Sequence, residues 1–311
     1  MSETRTSKFP KTLPAFLSEG DQTTAKVYLA IARAASRLAD ELPLHTGMAG
    51  GVNPSGESQA KLDVFSNDLF ADALLETGVV GEVASEEMEE PRRSNAPAEE
   101  SLAVAMDPLD GSSNIVTNSP LGSIFGIWRG RLPQSGRGLV SAMFVTYGPQ
   151  LTLCFSHGNR VCQFVKMRVG PQAGEFVLAS EGMRLPDPPE VYGFGGERNK
   201  WTPRVEAFVR SLEERGLKLR YGGTFIGDYN QVLRRGGIFA YPELKGRPNG
   251  KLRILYESAP VSYLTELAGG ASTTGRGSVL DITPTTLAET APCYIGDRNL
   301  VREVEERFAR S

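Results

Sequence analysis

The chain has 311 residues, 40% hydrophobic and 23% charged, enough apolar material for one large domain or two joined ones. Its formal net charge of −3 gives no global attraction to nucleic acid or to an anionic membrane surface, so an anionic ligand has to meet local positive charge. No apolar run approaches the roughly 20 residues of a transmembrane helix and the polar start MSETRTSKFPK lacks the apolar core of a secretory signal, so a cytoplasmic protein with no membrane or nucleic-acid partner is expected.

In chain order, residues 21–42 place Val27, Ile31, Ala34, Ala35 and Leu38 at helical spacing behind threonines able to cap the start. GMAGGVNPSGES (residues 47–58) is too rich in Gly, Pro, Asn and Ser for regular structure and reads as a mobile loop. KLDVFSNDLFADALLE then resumes a helical pattern, and short apolar runs at Val79-Val80, Leu102 to Met106, Ser123 to Trp128 and Leu139 to Tyr147 read as strands. LTLCFSHGNRVCQF reads as a hairpin turning at Gly158-Asn159. That register pairs Cys154 with Gln163 and puts Cys154 and Cys162 on opposite faces, so they should not bridge. With Cys293 they are expected to be reduced thiols, too few for a disulfide framework. The only histidines, His45 and His157, lie far apart with no cysteine at metal-ligand spacing, which speaks against zinc chemistry and a Ser-His-Asp triad.

The turn-rich RLPDPPE (residues 184–190) reads as the approximate boundary between two α/β halves, 1–182 and 183–311. A helix at Pro203 to Arg215, a strand and glycine turn at LKLRYGGTF, and helices at Ala259 to Leu267 and Leu300 to Ala309 complete the map. The expected fold is α/β, in an α+β layered form of alternating helix and sheet layers.

The densest chemical signal is DPLDGSSN, Asp107 to Asn114, directly after the apolar strand LAVAM. Ligands favour the carboxyl ends of strands in such sheets. Asp107 and Asp110, three apart in a Pro-containing turn, can both reach one metal centre, and Gly111-Ser112-Ser113 offers N–H groups and hydroxyls suited to a phosphate. Taken alone, Asp-Pro and Asp-Gly are ordinary turn dipeptides, and Glu86 and Glu87 begin an acidic run of the kind usually found on a solvated surface. Asp63 in KLDVFSND and Glu257 at the end of GKLRILYE are equally weak singly; together the groups gain weight.

The blocks KLDVFSNDL, ASEE, DPLDGSSNI, GSIFGIW, RYGGTFIGD, GGIFAYP, GKLRILYE, AGGASTTG and SVLDITPT, in this order, closely resemble the class I fructose-1,6-bisphosphatases, with sedoheptulose-1,7-bisphosphatases as near relatives. The resemblance runs from about Phe16 to the C-terminus. It implies a sugar-phosphatase fold and metal-dependent hydrolysis of the 1-phosphate of fructose 1,6-bisphosphate, with sedoheptulose 1,7-bisphosphate as a second substrate, in gluconeogenesis or the Calvin cycle. It further implies that Glu86, Glu87, Asp107, Asp110, Glu257 and the carbonyl of Leu109 ligate Mg²⁺, with Mn²⁺ as a substitute, and that Asp63 and Glu87 orient and deprotonate the attacking water. So many carboxylates beside a phosphate cannot all stay ionised without cations, and about two or three divalent ions suit an in-line displacement. Oxygen-only ligands favour hard cations over zinc.

By the same resemblance Asp110, Gly111, Ser112 and Ser113 contact substrate, while Tyr221, Tyr241 and Lys251 bind the 6-phosphate. Arg220 would reach that phosphate from a neighbouring subunit, implying a homo-oligomer, in the family usually a tetramer. Arg suits bidentate phosphate contacts and Lys a point charge. Two departures stand out. Gly195-Gly196-Glu197-Arg198 replaces an Asn-Glu-Gly-Tyr run, leaving Arg198 as the candidate phosphate ligand there, and Asp228 to Gln231 leans toward the sedoheptulose relatives. An inositol-phosphate-type monophosphatase would not need Arg220, Tyr241 and Lys251, and a catalytically silent phosphosugar sensor usually loses metal ligands, whereas none of the carboxylates is missing. Many relatives are inhibited by AMP at a Gly-Thr-Gly-Glu-Leu-Thr turn opening a helix. Here that segment is Gly20-Asp21-Gln22-Thr23-Thr24, and the Lys-Tyr pair of AMP-sensitive relatives is replaced by Ser101-Leu102.

Overall fold

A computed structural model describes residues 10–44, 48–52 and 58–309. The polar start up to residue 9, His45 and residues 53–57 of the glycine-rich segment lie outside the described residues.

A short helix α1 (Leu13–Leu17) leads into α2 (Gln22–Glu41). The cap of α2 is Asp21, whose carboxylate accepts from the N–H of Thr23 and Thr24, rather than the threonines expected to cap it. A carboxylate is a strong N-cap and complements the positive end of the helix dipole. The stretch expected to be irregular holds paired strands: β1 (Met48–Val52) runs antiparallel to β2 (Ser58–Ala60), Met48 facing Ala60 and Val52 facing Ser58. A two-stranded ribbon is held by backbone hydrogen bonds, which Gly and Ser can make, so a Gly- and Ser-rich composition does not exclude it. Helix α3 (Lys61–Leu75) follows at once.

Next come β3 (Val80–Ser85), β4 (Arg92–Arg93), β5 (Leu102–Asp110), β6 (Leu121–Arg129), β7 (Ser141–Tyr147), β8 (Leu151–His157), β9 (Arg160–Lys166) and β10 (Phe176–Glu181). They form one sheet in the order β10-β9-β8-β7-β6-β5-β3-β4, antiparallel except for the parallel β3–β5 pair. The β8–β9 hairpin pairs Cys154 with Gln163, and Cys154 and Cys162 point into separate cores as free thiols.

The second part contributes β11 (Val191–Phe194), α4 (Pro203–Glu214), β12 (Lys218–Leu219), α5 (Phe225–Arg235), β13 (Gly237–Tyr241), a π-helical turn at Ile254–Ser258, α6 (Ala259–Leu267), β14 (Ala271–Thr273), β15 (Cys293–Gly296) and α7 (Arg298–Phe308). Its sheet has the order β12-β11-β13-β15-β14. The helix α5 was not foreseen, although Phe225, Ile226, Tyr229, Val232 and Leu233 are buried at helical spacing.

Burial explains the stacking. Successive residues of β6 and β7 enter opposite cores, Phe125 and Met143 toward α2 and α3, Ile124 and Phe144 toward α5 and α6. Both faces of the large sheet are therefore covered, which is why its central strands read as unbroken apolar runs rather than alternating ones. Helices α5 and α6 fill the space between the sheets, and α4 and α7 close the far face of the smaller one through Phe208, Leu212, Leu300 and Val304. The layers thus run helix, sheet, helix, sheet, helix, an α/β fold.

Candidate active site

Asp107 and Asp110 lie within β5 rather than in a turn beyond it. Asp107 pairs with Ile124 and Asp110 with Gly122, so three steps on β5 oppose two on β6. That bulge contains Pro108, which has no N–H to give to a ladder, and Ser123 Oγ donates to the Pro108 carbonyl at 2.8 Å. On a regular strand residues three apart face opposite sides; the extra residue turns Asp110 into the cleft that Asp107 lines. Asp107 also accepts from Leu109 N at 3.0 Å, and Asp110 accepts from Phe225 N at 3.1 Å and Ile226 N at 2.6 Å, at the start of α5. Gly111 follows at φ +80, a left-handed backbone that glycine adopts freely, and opens a short 3-10 turn.

Beside these, Glu86 and Glu87 leave the end of β3, where Glu86 N donates to Met106 O at 3.1 Å and Glu87 N to Ser85 Oγ at 3.2 Å. Glu257 sits in the π-helical turn ahead of α6, a distortion common at functional sites. Its carboxylate accepts from Arg253 N at 2.6 Å. Carboxylate oxygens of Glu86, Asp107 and Glu257 all lie within 4.8 Å of one another. The Arg253 guanidinium stands 2.6 Å from Glu86 and 3.7 Å from Glu257. Asp63, buried in the first turn of α3, reaches the same cleft of about 290 Å³, as do Glu87 and Leu109. A larger cavity of about 510 Å³ between the end of α2 and the turn after β7 contains none of the acidic residues.

The electrostatics of this cluster call for a cation. Burial, then the charges of Glu86, Asp110 and Glu257, hold the Asp107 carboxyl well above the usual carboxylate range. Burial pushes Asp110 up to about 6 against the opposing N–H donors of Ile226 and Phe225. It raises Glu257 to about 7 although Arg253 pulls the other way. Buried carboxylates this close together protonate or take up positive charge. The donor set is all oxygen, with three oxygens converging, and it fits a hard divalent cation held by Glu86, Asp107, Glu257 and their neighbours.

Tyr241, from β13, and Lys251 also line the cleft. Lys251 Nζ lies 5.8 Å from the Tyr241 ring centre, and Tyr241 OH is 3.4 Å from Tyr221 OH. A Cβ on Gly195 would sit 2.1 Å from the Tyr241 ring, so the ring occupies space that a side chain at 195 would need. Tyr221 is 45% exposed beside the cleft. Arg220 lies on the edge of the smaller sheet, its N–H donating to Tyr192 O at 2.7 Å and its guanidinium to Leu219 O. Arg198 is exposed, 5.7 Å from the Trp201 ring centre. Asp63, Glu86, Glu87, Asp107, Leu109, Asp110, Gly111, Ser112, Ser113, Tyr241, Lys251 and Glu257 therefore converge, whereas Arg198, Arg220 and Tyr221 stay outside the lining. Asp228 to Gln231 is also absent from it: Asp228 bonds Gly222 N and Gly223 N, and Tyr229 bonds Thr265 in the core. Arg253 is the residue that sequence reasoning missed, although it lies inside GKLRILYE four residues before Glu257.

An acidic, metal-competent cleft that also takes in the glycine turn Gly111 to Ser113 defines a phosphoric monoester hydrolase. Residues 21–181 match the family model described as "Fructose-1-6-bisphosphatase, N-terminal domain", and residues 185–309 match "Fructose-1-6-bisphosphatase, C-terminal domain". The chain belongs to the fructose-1,6-bisphosphatase family. The class 1 fructose-1,6-bisphosphatase of Geobacter sulfurreducens is 44% identical over 262 residues, 84% of this chain and 82% of that protein. That of Halobacterium salinarum is 41% identical over 279 residues, covering 90% and 95%. The crystal structure of Leishmania major fructose-1,6-bisphosphatase in holo form has a TM-score of 0.89 at 30% identity, covering 97% of this chain and 100% of that one.

Proposed function

We propose that the protein hydrolyses the 1-phosphate of fructose 1,6-bisphosphate to fructose 6-phosphate and inorganic phosphate. The observation that carries this reading is the convergence of Glu86, Asp107 and Glu257 oxygens within 4.8 Å, with Gly111, Ser112 and Ser113 lining the same cleft. About two or three Mg²⁺ ions, or Mn²⁺ in their place, supply charge neutralisation and water activation when bound there. Glu86, Glu87, Asp107, Asp110, Glu257 and the Leu109 carbonyl hold them. Asp63 and Glu87 orient the attacking water and take its proton; Gly111 to Ser113 hold the scissile phosphate through backbone N–H groups and hydroxyls. Tyr241, Lys251 and Tyr221 grip the second phosphate, with Arg198 as a further candidate ligand.

The first half, 1–182, supplies the reacting end, and the second, 183–311, most of the distal grip. Arg220 completes the distal site of a neighbouring protomer in a tetramer. The edge strand β12 and the segment after it, with Leu219 56% and Tyr221 45% exposed, suit such a contact. Sedoheptulose 1,7-bisphosphate is a second substrate, since Gly195, against the Tyr241 ring, places no polar side chain there. A cytoplasmic setting agrees with the free thiols Cys154, Cys162 and Cys293, and among the described residues no helix is long and apolar enough to cross a membrane.

Phosphate release from fructose 1,6-bisphosphate, sedoheptulose 1,7-bisphosphate and inositol 1-phosphate, with and without Mg²⁺, tests the reading. Hydrolysis of the bisphosphates that stops on chelation is expected. Preference for inositol 1-phosphate would overturn it. Light scattering of the purified protein tests the tetramer.

A further inference from the structure

The two ends of the proposed substrate are held by segments remote in sequence: the turn Gly111 to Ser113, and the arm Arg220 to Thr224, which carries Tyr221. Asn114 stands at their junction. Its Nδ2 is 3.0 Å from the Gly222 carbonyl, 108 residues away in sequence, 3.2 Å from Pro120 O and 2.5 Å from Thr224 Oγ1. Thr224 Oγ1 gives its own proton to Pro120 O at 2.7 Å, which leaves its lone pairs to accept from the amide.

The backbone of Asn114 is equally fixed. Its N–H donates to Gly111 O at 2.8 Å, and its carbonyl accepts from Ser119 N at 3.1 Å. The turn meets the arm closely enough that a Cβ on Gly111 would lie 2.4 Å from Thr224 Oγ1. From the other side Asp228 holds Gly222 N at 2.7 Å and Gly223 N at 3.2 Å. The arm is thus pinned on its N–H groups by its own helix and on its oxygens by the turn. Asn114 itself does not line the cleft.

We propose that Asn114 is a positioning residue that sets the spacing between the turn and the arm, and thereby selects substrates carrying a second phosphate. This rests on the reading that the arm helps to grip that phosphate. A residue that merely stabilised the turn would affect every phosphate ester alike. One that sets the spacing costs more where both ends must be held at once, because the binding energy of the remote group is realised only in a fixed geometry.

The experiment compares kcat and KM for fructose 1,6-bisphosphate and for a generic aryl phosphate in wild type, Asn114→Ala, the isosteric Asn114→Asp, Thr224→Val and the Asn114→Ala/Thr224→Val double variant. The ratio of kcat/KM between the two substrates should fall roughly tenfold in either Asn114 variant, the scale of one lost hydrogen bond, mainly through KM for the bisphosphate. The double variant should lose little more than Asn114→Ala, since both changes break one junction. Amide exchange of the segment 222–224 should quicken in both Asn114 variants. Equal losses on both substrates, additive losses in the double variant, or unchanged exchange would each overturn the proposal. Tyr221→Phe serves as the control on the underlying reading: if it leaves the ratio unchanged while the Asn114 variants lower it, the arm grips through a group other than the Tyr221 hydroxyl, and the assignment of Tyr221 fails while the spacing role of Asn114 stands.

Discussion

Nη1 of Arg253 lies 2.6 Å from Oε1 of Glu86, with side-chain exposures of 7% and 10%. A guanidinium at this depth supplies part of the positive charge that the cluster needs. Arg253→Leu should therefore lower the stability of the metal-free protein by about 3–5 kcal/mol, the usual cost of removing one partner of a buried pair. Saturating Mg²⁺ should shrink that loss, because a cation then balances Glu86 and Glu257. Urea unfolding in chelator and in Mg²⁺ measures both values, and identical losses in the two conditions would refute the charge-balance role.

Glu87 and Asp63 share the cleft with the converging oxygens without belonging to that trio. Glu87→Gln and Asp63→Asn keep side-chain size while removing a base, and each should lower kcat by roughly 10²-fold or more, with the fold intact by circular dichroism. Either variant retaining more than about half of the wild-type kcat at saturating Mg²⁺ would rule out its part in proton removal.

The acidic cluster also predicts how stability follows pH. Burial raises Asp110 from 3.8 to about 6 and Glu257 from 4.5 to about 7. An acid raised in the folded state favours its protonated form there. Its stabilising contribution is complete below the unfolded pKa and is lost as pH rises through the folded value. The metal-free protein should then lose stability between about pH 4 and pH 7, and the gain in Tm on adding Mg²⁺ should grow over the same range. A Mg²⁺ effect on Tm that does not vary with pH would contradict this.

How far the sequence carried these inferences depended on whether a feature was local. Helix α2 and the hairpin at Gly158-Asn159 are set by periodicity and turn chemistry, and they stand where spacing put them, whereas β5 runs on through Asp110, past the point where a turn was expected. The bulge that turns Asp110 beside Asp107 is a matter of register against β6, which only the folded sheet fixes. Helix α5 was hidden because its glycine-rich lead-in, RYGGTF, read as a turn while the apolar residues behind it passed as part of the same block. Arg253 was overlooked for a similar reason: an Arg in an apolar run looks like a solvated tip, and only the π-helical turn brings it against Glu86 and Glu257.

AMP inhibits many proteins that this sequence resembles, and it should not act here through the same site. The helix N-terminus that would hold its phosphate is α2, and Asp21 already occupies it, at 3.2 Å from Thr23 N and 3.1 Å from Thr24 N. Burial opposes the charge of this carboxyl, yet the N–H donors of Thr24 and Thr23 keep its pKa below the ordinary value, so it is an anion at neutral pH. An incoming phosphate would lose those donors and meet a like charge. Ser101 and Leu102, where AMP-sensitive relatives carry Lys and Tyr, are 5% and 1% exposed and offer neither a cation nor a phenol. Arg129, at the end of β6, is the nearby cation, and its charge already acts on Asp21. One Arg contact contributes only ~1.5–3 kcal/mol, far short of the ~8 kcal/mol that micromolar binding needs. Hydrolysis of fructose 1,6-bisphosphate at subsaturating Mg²⁺ should therefore proceed undiminished in micromolar AMP. Half-inhibition at that concentration, abolished by Arg129→Ala, would show instead that the phosphate displaces Asp21 and seats on α2.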